Sequence, residues 1–238
     1  MKKQLKRYIK ELISPQDRLF RKVVGRIARK PDFKFVQIGS NDGKRADPLY
    51  PYIRKHGWSG IMVEPVPYLF ERLKANHAGR DNLTLRNVAV SSEGGVMTFY
   101  YFREHGDQTD WTSGNGLGSF NREHAYHVRS QIPGFEENLT EMEIETITFT
   151  DLVEGLDHID LLHIDTEGYD FEIIKTIDFE LHSPSAILYE SACLNRFYKD
   201  EGAKAAARAY LDEKGYDCYE YGRTLDTLAI LRGGEASS

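Results

Sequence analysis

Short apolar segments alternate with helical patterns along most of the chain, and this alternation limits the fold more than any other feature. Strand patterns occur in "FKFVQI", "SGIMVEP", "LTLRNVAV", "VMTFYYF", "IDLLHID" and "SAILYES", and helical patterns such as "PYLFERLKANH" lie between them. Strands that alternate with helices form a parallel sheet covered on both faces. "YDCYEYG" and "TLDTLAILR" have no helix between them, which predicts one antiparallel strand. We therefore predict a doubly wound α/β fold.

Changes in composition predict the organisation of the chain. Residues 1–31 form a basic N-terminal helical arm: residues 1–30 hold eleven Lys or Arg and two acids. Residues 32–233 form the main domain. Within it, residues 103–140 are polar and rich in glycine, which predicts a substrate lid, because long irregular segments inside compact domains are often functional. Residues 234–238 are predicted to be a disordered tail.

The overall composition excludes several classes of protein. A chain of 238 residues with 40% hydrophobic content can bury the core of one domain, and its net charge of −6 argues against nucleic acid as the main partner. Cys193 and Cys218 form neither a metal-binding spacing nor a disulfide framework, which is typical of a reducing cytosol. No apolar run approaches the roughly 18 residues of a membrane span. We predict a cytoplasmic protein with no membrane span.

The first strand ends in "GSNDG", where two glycines enclose Ser40, Asn41 and Asp42. Gly39 allows a sharp turn, and Gly43 keeps the start of a helix predicted over residues 45–56 close to a ligand. In open α/β sheets, ligands bind beyond the carboxyl ends of the strands. The dinucleotide fingerprint has the spacing Gly-x-Gly-x-x-Gly, whereas this turn has Gly-x-x-x-Gly. The turn therefore suits an amino-acid moiety better than a pyrophosphate, although a plain tight turn stays open.

Two further strand ends carry groups suited to a nucleoside. The second strand ends in "VEP", where Glu64, followed by Pro65, can accept hydrogen bonds from both ribose hydroxyls. The third ends in "RNVAV", where Asn87 and the backbone of Val88–Ala89 can flank an adenine. An amino acid, a ribose and a base are the three parts of S-adenosylmethionine. The three strand ends therefore favour this cofactor, with Glu64 as a plain surface carboxylate as the alternative.

The fourth strand continues into "LLHIDTEGYDFEII", which carries the candidate catalytic residues. By strand alternation, His163 and Asp165 share one face, and Asp165 lies at the carboxyl end, near the expected position of the transferred methyl group. Glu167 and Asp170 follow, where acids also suit the start of a helix. The fifth strand ends in "ILYES" and directs Glu190 to the same region. We predict Asp165, His163 and Glu190 as catalytic residues.

Taken together, these stretches resemble the FkbM family of S-adenosylmethionine-dependent methyltransferases. The matching stretches are "VQIGSNDG", "MVEPVPYLFERLKAN", "NVAVS", "TITFTDLV", "LLHIDTEGYDFEI", "ILYES" and "DTLAIL". They follow the family's order from about residue 33 to 232. The resemblance implies a class I methyltransferase (Rossmann-like) fold with a mostly parallel seven-stranded sheet. It also implies methyl transfer, most often to a hydroxyl oxygen.

The resemblance assigns roles to individual residues. It implies that Gly39 to Gly43 hold the methionine part of the cofactor, that Glu64 holds the ribose, and that Asn87 and Ala89 lie beside the adenine. Many relatives have an acid where this chain has Gln37, at the position that contacts the methionine amino group.

A second departure from the family pattern concerns the base that the reaction needs. Many relatives have Lys where this chain has His163, and a hydroxyl acceptor must lose its proton to a base. His163 is the candidate, because an imidazole titrates near neutral pH. A buried structural imidazole is the alternative. His105, His124 and His127 of the predicted lid are further candidates.

We predict an S-adenosylmethionine-dependent O-methyltransferase that acts on a hydroxyl of a small molecule, natural product or glycan. Asp165, Glu190 or Asp170 could hold a hard cation such as Mg²⁺, but their spacing does not require one and we expect no metal. An RNA methyltransferase is an alternative, because the basic arm could contact phosphates. A non-catalytic nucleotide-binding domain is another. The N-terminal helices could also join two copies into a homo-oligomer.

Overall fold

The computed structural model describes residues 15–104, 117–124, 135–222 and 226–233. The strands are β1 (Lys34–Ile38), β2 (Ser59–Val63), β3 (Leu83–Arg86), β4 (Ala89–Val90), β5 (Gly95–Phe102), β6 (Gly118–Ser119), β7 (Leu139–Ile147), β8 (Leu161–Ile164), β9 (Ala186–Glu190), β10 (Tyr216–Tyr221) and β11 (Asp226–Leu231). The helices are α1 (Pro15–Ile27), α2 (Tyr50–His56), α3 (Pro67–Asn76), α4 (Phe135–Asn138), α5 (Phe149–Leu152), α6 (Asp170–Lys175), α7 (Leu194–Tyr198) and α8 (Ala203–Glu213).

The larger sheet has seven strands in the order β10-β11-β9-β8-β1-β2-β3. Strand β11 is antiparallel to both β9 and β10, and the other pairs are parallel. This confirms the predicted doubly wound, class I methyltransferase-like sheet. Strand order reverses between β1 and β8, the position at which such sheets bind ligands.

Both faces of this sheet are covered by apolar packing. Val36 and Ile38 of β1 pack in one cluster with residues of α6 and α8, whereas Phe35 packs on the opposite face with α2 and α3. Helix α1 joins that second cluster through Phe20, Val24 and other apolar residues that are almost fully buried. The described helix of the predicted basic arm therefore packs directly on the main domain.

A second sheet of four strands, in the order β4-β7-β5-β6, is not predicted by the sequence pattern. The predicted single strand "LTLRNVAV" is wrong in this respect, because β3 ends at Arg86 and β4 pairs with β7 of the second sheet. Strand β7 pairs with the whole of β5 in antiparallel register. Phe99 of β5 and Ile144 of β7 pack with Val66 and Leu69, which fixes the second sheet beside α3.

The helix predicted over residues 45–56 begins later than expected, at Tyr50. Two features shorten it. Ala46 has a left-handed backbone with φ 56°, and Pro48 disfavours a helical conformation at Asp47. The Asp47 carboxylate then accepts the N–H of Leu49 at 2.7 Å, just before the helix.

Candidate functional site

A cavity of about 230 Å³ opens at the carboxyl ends of β1, β2 and β8 and is closed on one side by the second sheet. Most of the residues predicted at strand ends meet there. Those that line it are Gly39, Asn41, Asp42, Glu64, Pro65, Val88, Ala89 and Asp165. The remaining predicted residues do not line it; they are Gln37, Ser40, Gly43, Asn87, His163 and Glu190.

Gly39 allows β1 and β8 to approach each other at the floor of the cavity. Its φ is 81°, and a Cβ atom there would lie 1.8 Å from the carbonyl oxygen of Asp165. The N–H of Asp165 in turn donates to the carbonyl of Ile38 at 2.9 Å. A side chain at position 39 would push these two strand ends apart, so the glycine is required by both backbone conformation and space.

Glu64 is buried with a carboxylate that already has two backbone donors. The N–H of Asn41 donates to Oε2 at 2.8 Å, and the N–H of Val66 donates to Oε1 at 2.9 Å. Burial raises the pKa of Glu64 to about 7, although these two hydrogen bonds act in the opposite direction. The contact from Asn41 ties the turn after β1 to the end of β2.

Asn87 supports this strand end from behind the cavity wall. Its side-chain amide donates to the carbonyl oxygens of Glu64 at 2.8 Å and Pro65 at 3.0 Å. The amide N–H groups are thus used to hold backbone, while the adjoining Val88 and Ala89 face the cavity.

Three other predicted residues support the turn from beneath. The side-chain amide of Gln37 donates to Asp47 at 3.2 Å, and the Ser40 hydroxyl donates to the Gln37 carbonyl at 3.3 Å. The expected role of Gly43 at a helix start is not seen, since no helix begins there. A Cβ atom at Gly43 would instead lie 2.3 Å from Leu73, so the glycine lets the turn pack closely on α3.

His163 is buried in the middle of β8, with only 5% of its surface exposed, and is paired in register with Gln37 and Leu188. Burial lowers its pKa to about 4, so the ring is neutral at pH 7. Its Nδ1 atom has no hydrogen-bond partner among the described residues. The catalytic role of His163 stays a prediction.

Asp165, Glu167 and Glu190 form an acidic cluster beside the cavity. One carboxylate oxygen from each of the three lies within 4.8 Å of the other two. Asp165 is exposed to solvent at the cavity wall, and the loss of hydration beside the surrounding protein, together with the charges of Glu167 and Asp170, raises its pKa. Burial and the same neighbours raise the pKa of Glu190. The cluster is therefore an electrostatically unfavourable arrangement of carboxylates.

The turn that carries this cluster is held by Asp170, for which the sequence allows either a functional or a helix-start role. Its Oδ2 atom accepts hydrogen bonds from the hydroxyl and N–H of Thr166 and from the N–H of Gly168. Its Oδ1 atom accepts the N–H of Glu190 at 3.0 Å. Asp170 therefore fixes the β8 turn to the end of β9 and leaves Glu167 in a left-handed conformation with φ 54°.

Sequence reasoning does not assign several cavity residues, and they come from the turns after β1 and β8, from α3, and from the second sheet and the residues that flank its strand β6. They are Arg45, Ala46, Leu69, Arg72, Phe99, Leu117, Gly118, Phe120 and Thr166. Glu167, for which the sequence allows either a functional or a helix-start role, lines the cavity as well. Phe120 belongs to the predicted lid. Its ring lies 5.2 Å from that of Phe99 and 4.9 Å from that of Tyr169, so it joins the second sheet to the β8 turn.

Of the three histidines in the predicted lid, His105 and His127 lie outside the described residues. His124 is 2% exposed and lies beside the acidic cluster, with Nε2 3.7 Å from Oε2 of Glu167.

Comparison with known proteins gives a family match and several structural neighbours. Residues 37–218 match the family model described as "Methyltransferase FkbM domain". The methyltransferase FkbM from Methylobacillus flagellatus KT superposes with a TM-score of 0.50 and 12% sequence identity over 84% of this chain. This chain covers 43% of that protein.

Two other structures have lower TM-scores. The METTL16 methyltransferase domain gives 0.47 with 12% identity, covering 89% of this chain and 65% of that chain. The precorrin-6y C5,15-methyltransferase from Geobacter metallireducens GS-15 gives 0.44 with 12% identity, covering 92% of this chain and 90% of that chain. No curated protein matches the sequence significantly. None of the described helices has the length and apolar character needed to span a bilayer.

Proposed function

Because the chain belongs to the FkbM methyltransferase family, we propose that it transfers a methyl group from S-adenosylmethionine to a hydroxyl oxygen of a small molecule, natural product or glycan. The observation that carries the proposal is the buried Glu64 carboxylate. It lies at the end of β2, lines the cavity, and is tied to the Gly39 turn by the N–H of Asn41.

The cofactor would lie across the carboxyl ends of β1, β2 and β3. The turn from Gly39 to Gly43 would hold the methionine part, supported from beneath by Gln37. Glu64 would accept the ribose hydroxyls, with Pro65 beside it. Val88 and Ala89 would contact the adenine, while Asn87 acts through the backbone that it holds.

The acceptor hydroxyl would lie next to Asp165, at the cavity end formed by the β8 turn. Methyl transfer is an in-line displacement in which an oxygen–carbon bond forms as the carbon–sulfur bond breaks, and the sulfur keeps the electron pair. Positioning supplies much of the rate. The hydroxyl proton must also leave, and carboxylates with raised pKa values, such as Asp165 and Glu190, are suited to accept it.

One other class of acceptor has a specific observation in its favour. Residues 1–30 carry a net charge of +9, which would suit the phosphates of RNA. The remaining residues carry −15, which disfavours an extended anionic ligand near the cavity. We retain the hydroxyl acceptor, and we propose the cytoplasm as its compartment because Cys193 and Cys218 are both free.

Calorimetric titration of the protein with S-adenosylhomocysteine, with NAD as the control ligand, tests the proposal. We expect micromolar binding of S-adenosylhomocysteine and no binding of NAD. Absence of S-adenosylhomocysteine binding would contradict the cofactor assignment. Salt-dependent retention of RNA by the same preparation would indicate that the acceptor is RNA.

A further inference from the structure

His124 is a buried side chain whose ring nitrogens are both without a hydrogen-bond partner among the described residues. Its side chain is 1% exposed, and the nearest carboxylate oxygen, Oε2 of Glu167, lies 3.7 Å from Nε2. That separation is too long for a hydrogen bond. A buried polar group without a partner is unfavourable, so the position favours a ligand that lies between the ring and the carboxylate.

Glu167, which lies beside His124, also belongs to the acidic cluster with Asp165 and Glu190. None of the ion pairs among the described residues joins Asp165, Glu167 or Glu190 to a lysine or arginine. Oε2 of Glu190 is buried without a hydrogen-bond partner within the described ranges. Carboxylates this close together repel each other unless protons or a cation separate them.

Glu167 connects the two observations, because it belongs both to the acidic cluster and to the contact with His124. Cys193 is close as well, but its thiol donates a hydrogen bond to Oε1 of Glu190 at 3.2 Å. The thiol thus orients Glu190, and the free ligand atoms are carboxylate oxygens and an imidazole nitrogen. Oxygen ligands suit Mg²⁺ and Mn²⁺, and the added imidazole favours a transition-metal ion.

Ligand atoms lie within 4.8 Å of one another in two sets, Asp165–Glu167–Glu190 and His124–Glu167–Cys193, and the two sets share Glu167. We propose that one divalent cation, for which Mn²⁺ is the best match, binds at Glu167 at the acceptor end of the cavity, with Asp165, Glu190 and His124 as its further ligands. Asp165 and Glu167 line the cavity, so a bound ion would have an open coordination position facing the acceptor. The binding itself is independent of the proposed reaction, but its catalytic use rests on the proposed function.

The ion would assist methyl transfer by taking the acceptor oxygen as a ligand. With Asp165 and Glu190 engaged as ligands, these carboxylates would no longer accept the hydroxyl proton, which would leave to solvent instead. The metal-bound alkoxide oxygen would form the new bond to the methyl carbon. The carbon–sulfur bond would break with its electron pair on sulfur, which gives neutral S-adenosylhomocysteine. The ion thereby supplies the activation of the hydroxyl that would otherwise need a strong protein base.

The test is titration of the chelator-treated full chain with MnCl₂, followed by the loss of the electron paramagnetic resonance signal of free Mn²⁺. We expect one Mn²⁺ per chain at micromolar concentrations, with or without S-adenosylhomocysteine. Glu167→Gln and His124→Gln should each weaken binding by about tenfold or more. Glu123→Gln is the matched control, since Glu123 pairs with Lys199 outside the cluster.

A thermal melt in chelator separates lost binding from lost folding. Removal of one clustered carboxylate relieves repulsion, so Glu167→Gln should melt at the same temperature as the unaltered protein or above it. Mn²⁺ binding that the two cluster variants leave unchanged would overturn the proposal. So would S-adenosylhomocysteine binding without any Mn²⁺ binding, and that result would leave the proposed function standing. Mn²⁺ binding without S-adenosylhomocysteine binding would contradict the proposed function and keep the cation site.

Discussion

The two ends of the cavity differ in how their polar groups are satisfied. At the cofactor end, defined by residues 39–43 and Glu64, the Glu64 carboxylate already accepts two backbone N–H groups. At the acceptor end, defined by residues 165–167, Glu190 and His124, clustered carboxylates face one another and an unpaired imidazole. The first end is organised by its own backbone, whereas the second carries the ligands of the proposed cation. We therefore expect mutations at the first end to cost stability, and removal of a charge at the second to cost binding alone.

The largest effect is expected for Gly39→Ala. The new Cβ would meet the Asp165 carbonyl at 1.8 Å, and the residue would keep a left-handed backbone. Left-handed strain of about 1–2 kcal/mol and overpacking of about 1–3 kcal/mol should lower the free energy of unfolding by roughly 2–5 kcal/mol. Denaturant unfolding measures this, and binding of S-adenosylhomocysteine should be lost.

Gly57→Ala is the matched control for that change. Gly57 has φ 65°, but no atom lies within 4 Å of the position that a Cβ would take there. It should therefore cost only the left-handed strain of about 1–2 kcal/mol and leave cofactor affinity unchanged. If Gly39→Ala and Gly57→Ala lowered the free energy of unfolding equally, the close approach of β1 and β8 at Gly39 would not be what organises the cofactor end.

Glu64→Gln should weaken S-adenosylhomocysteine binding by about 100-fold. A hydrogen bond to a charged group contributes about 1.5–3 kcal/mol, and the amide keeps one acceptor oxygen where the carboxylate has two. Calorimetry measures the affinity. Glu71→Gln is the control, because Glu71 is exposed and pairs only with the nearby Lys74 among the ion pairs of the described residues. Unchanged affinity in Glu64→Gln would remove Glu64 from the ribose role.

The pH dependence of cofactor binding gives a smaller effect at the same residue. Burial raises the pKa of Glu64 to about 7, and the ionised carboxylate is the better acceptor for ribose hydroxyls. S-adenosylhomocysteine affinity, measured in chelator, should therefore rise through pH 7 and fall by up to about tenfold per unit below it. Glu64→Gln should flatten this profile. A profile that persists in the variant would assign the titration to Asp165, whose pKa is also raised and whose charge interacts with Glu64.

The same contrast explains which parts of the site the sequence could predict. The Gly39 turn and Glu64 follow directly from local pattern, because each lies where an apolar strand ends. Glu167 and His124 meet only through tertiary structure: one lies in a turn fixed by Asp170, and the other lies 43 positions earlier in the predicted lid. No local spacing indicates that approach.

The fold shows a similar division. Strands of the seven-stranded sheet are separated by helices whose patterns mark each boundary, so the doubly wound topology can be predicted from periodicity. The second sheet depends on pairing between Gly95 and Thr146 at one end and Phe102 and Leu139 at the other. A long polar segment separates β5 from β7 in the sequence and runs directly into β7, so the strand pattern of β7 is hard to recognise. Strand β4 is only two residues long. Both features defeat a prediction based on periodicity.

The smallest effect is expected for His163→Gln. The ring is buried in β8 outside the cavity lining, and a pKa of about 4 makes it a weak base at neutral pH. We expect S-adenosylhomocysteine affinity to stay unchanged and turnover to fall less than tenfold. A slight shift of Asp165, at the end of the same strand, would explain a loss of that size. General bases contribute about 100-fold or more, so a loss of that size would restore the predicted base and weaken the case for metal activation. His182→Gln, a histidine of the α6–β9 connection, controls for loss of an imidazole elsewhere.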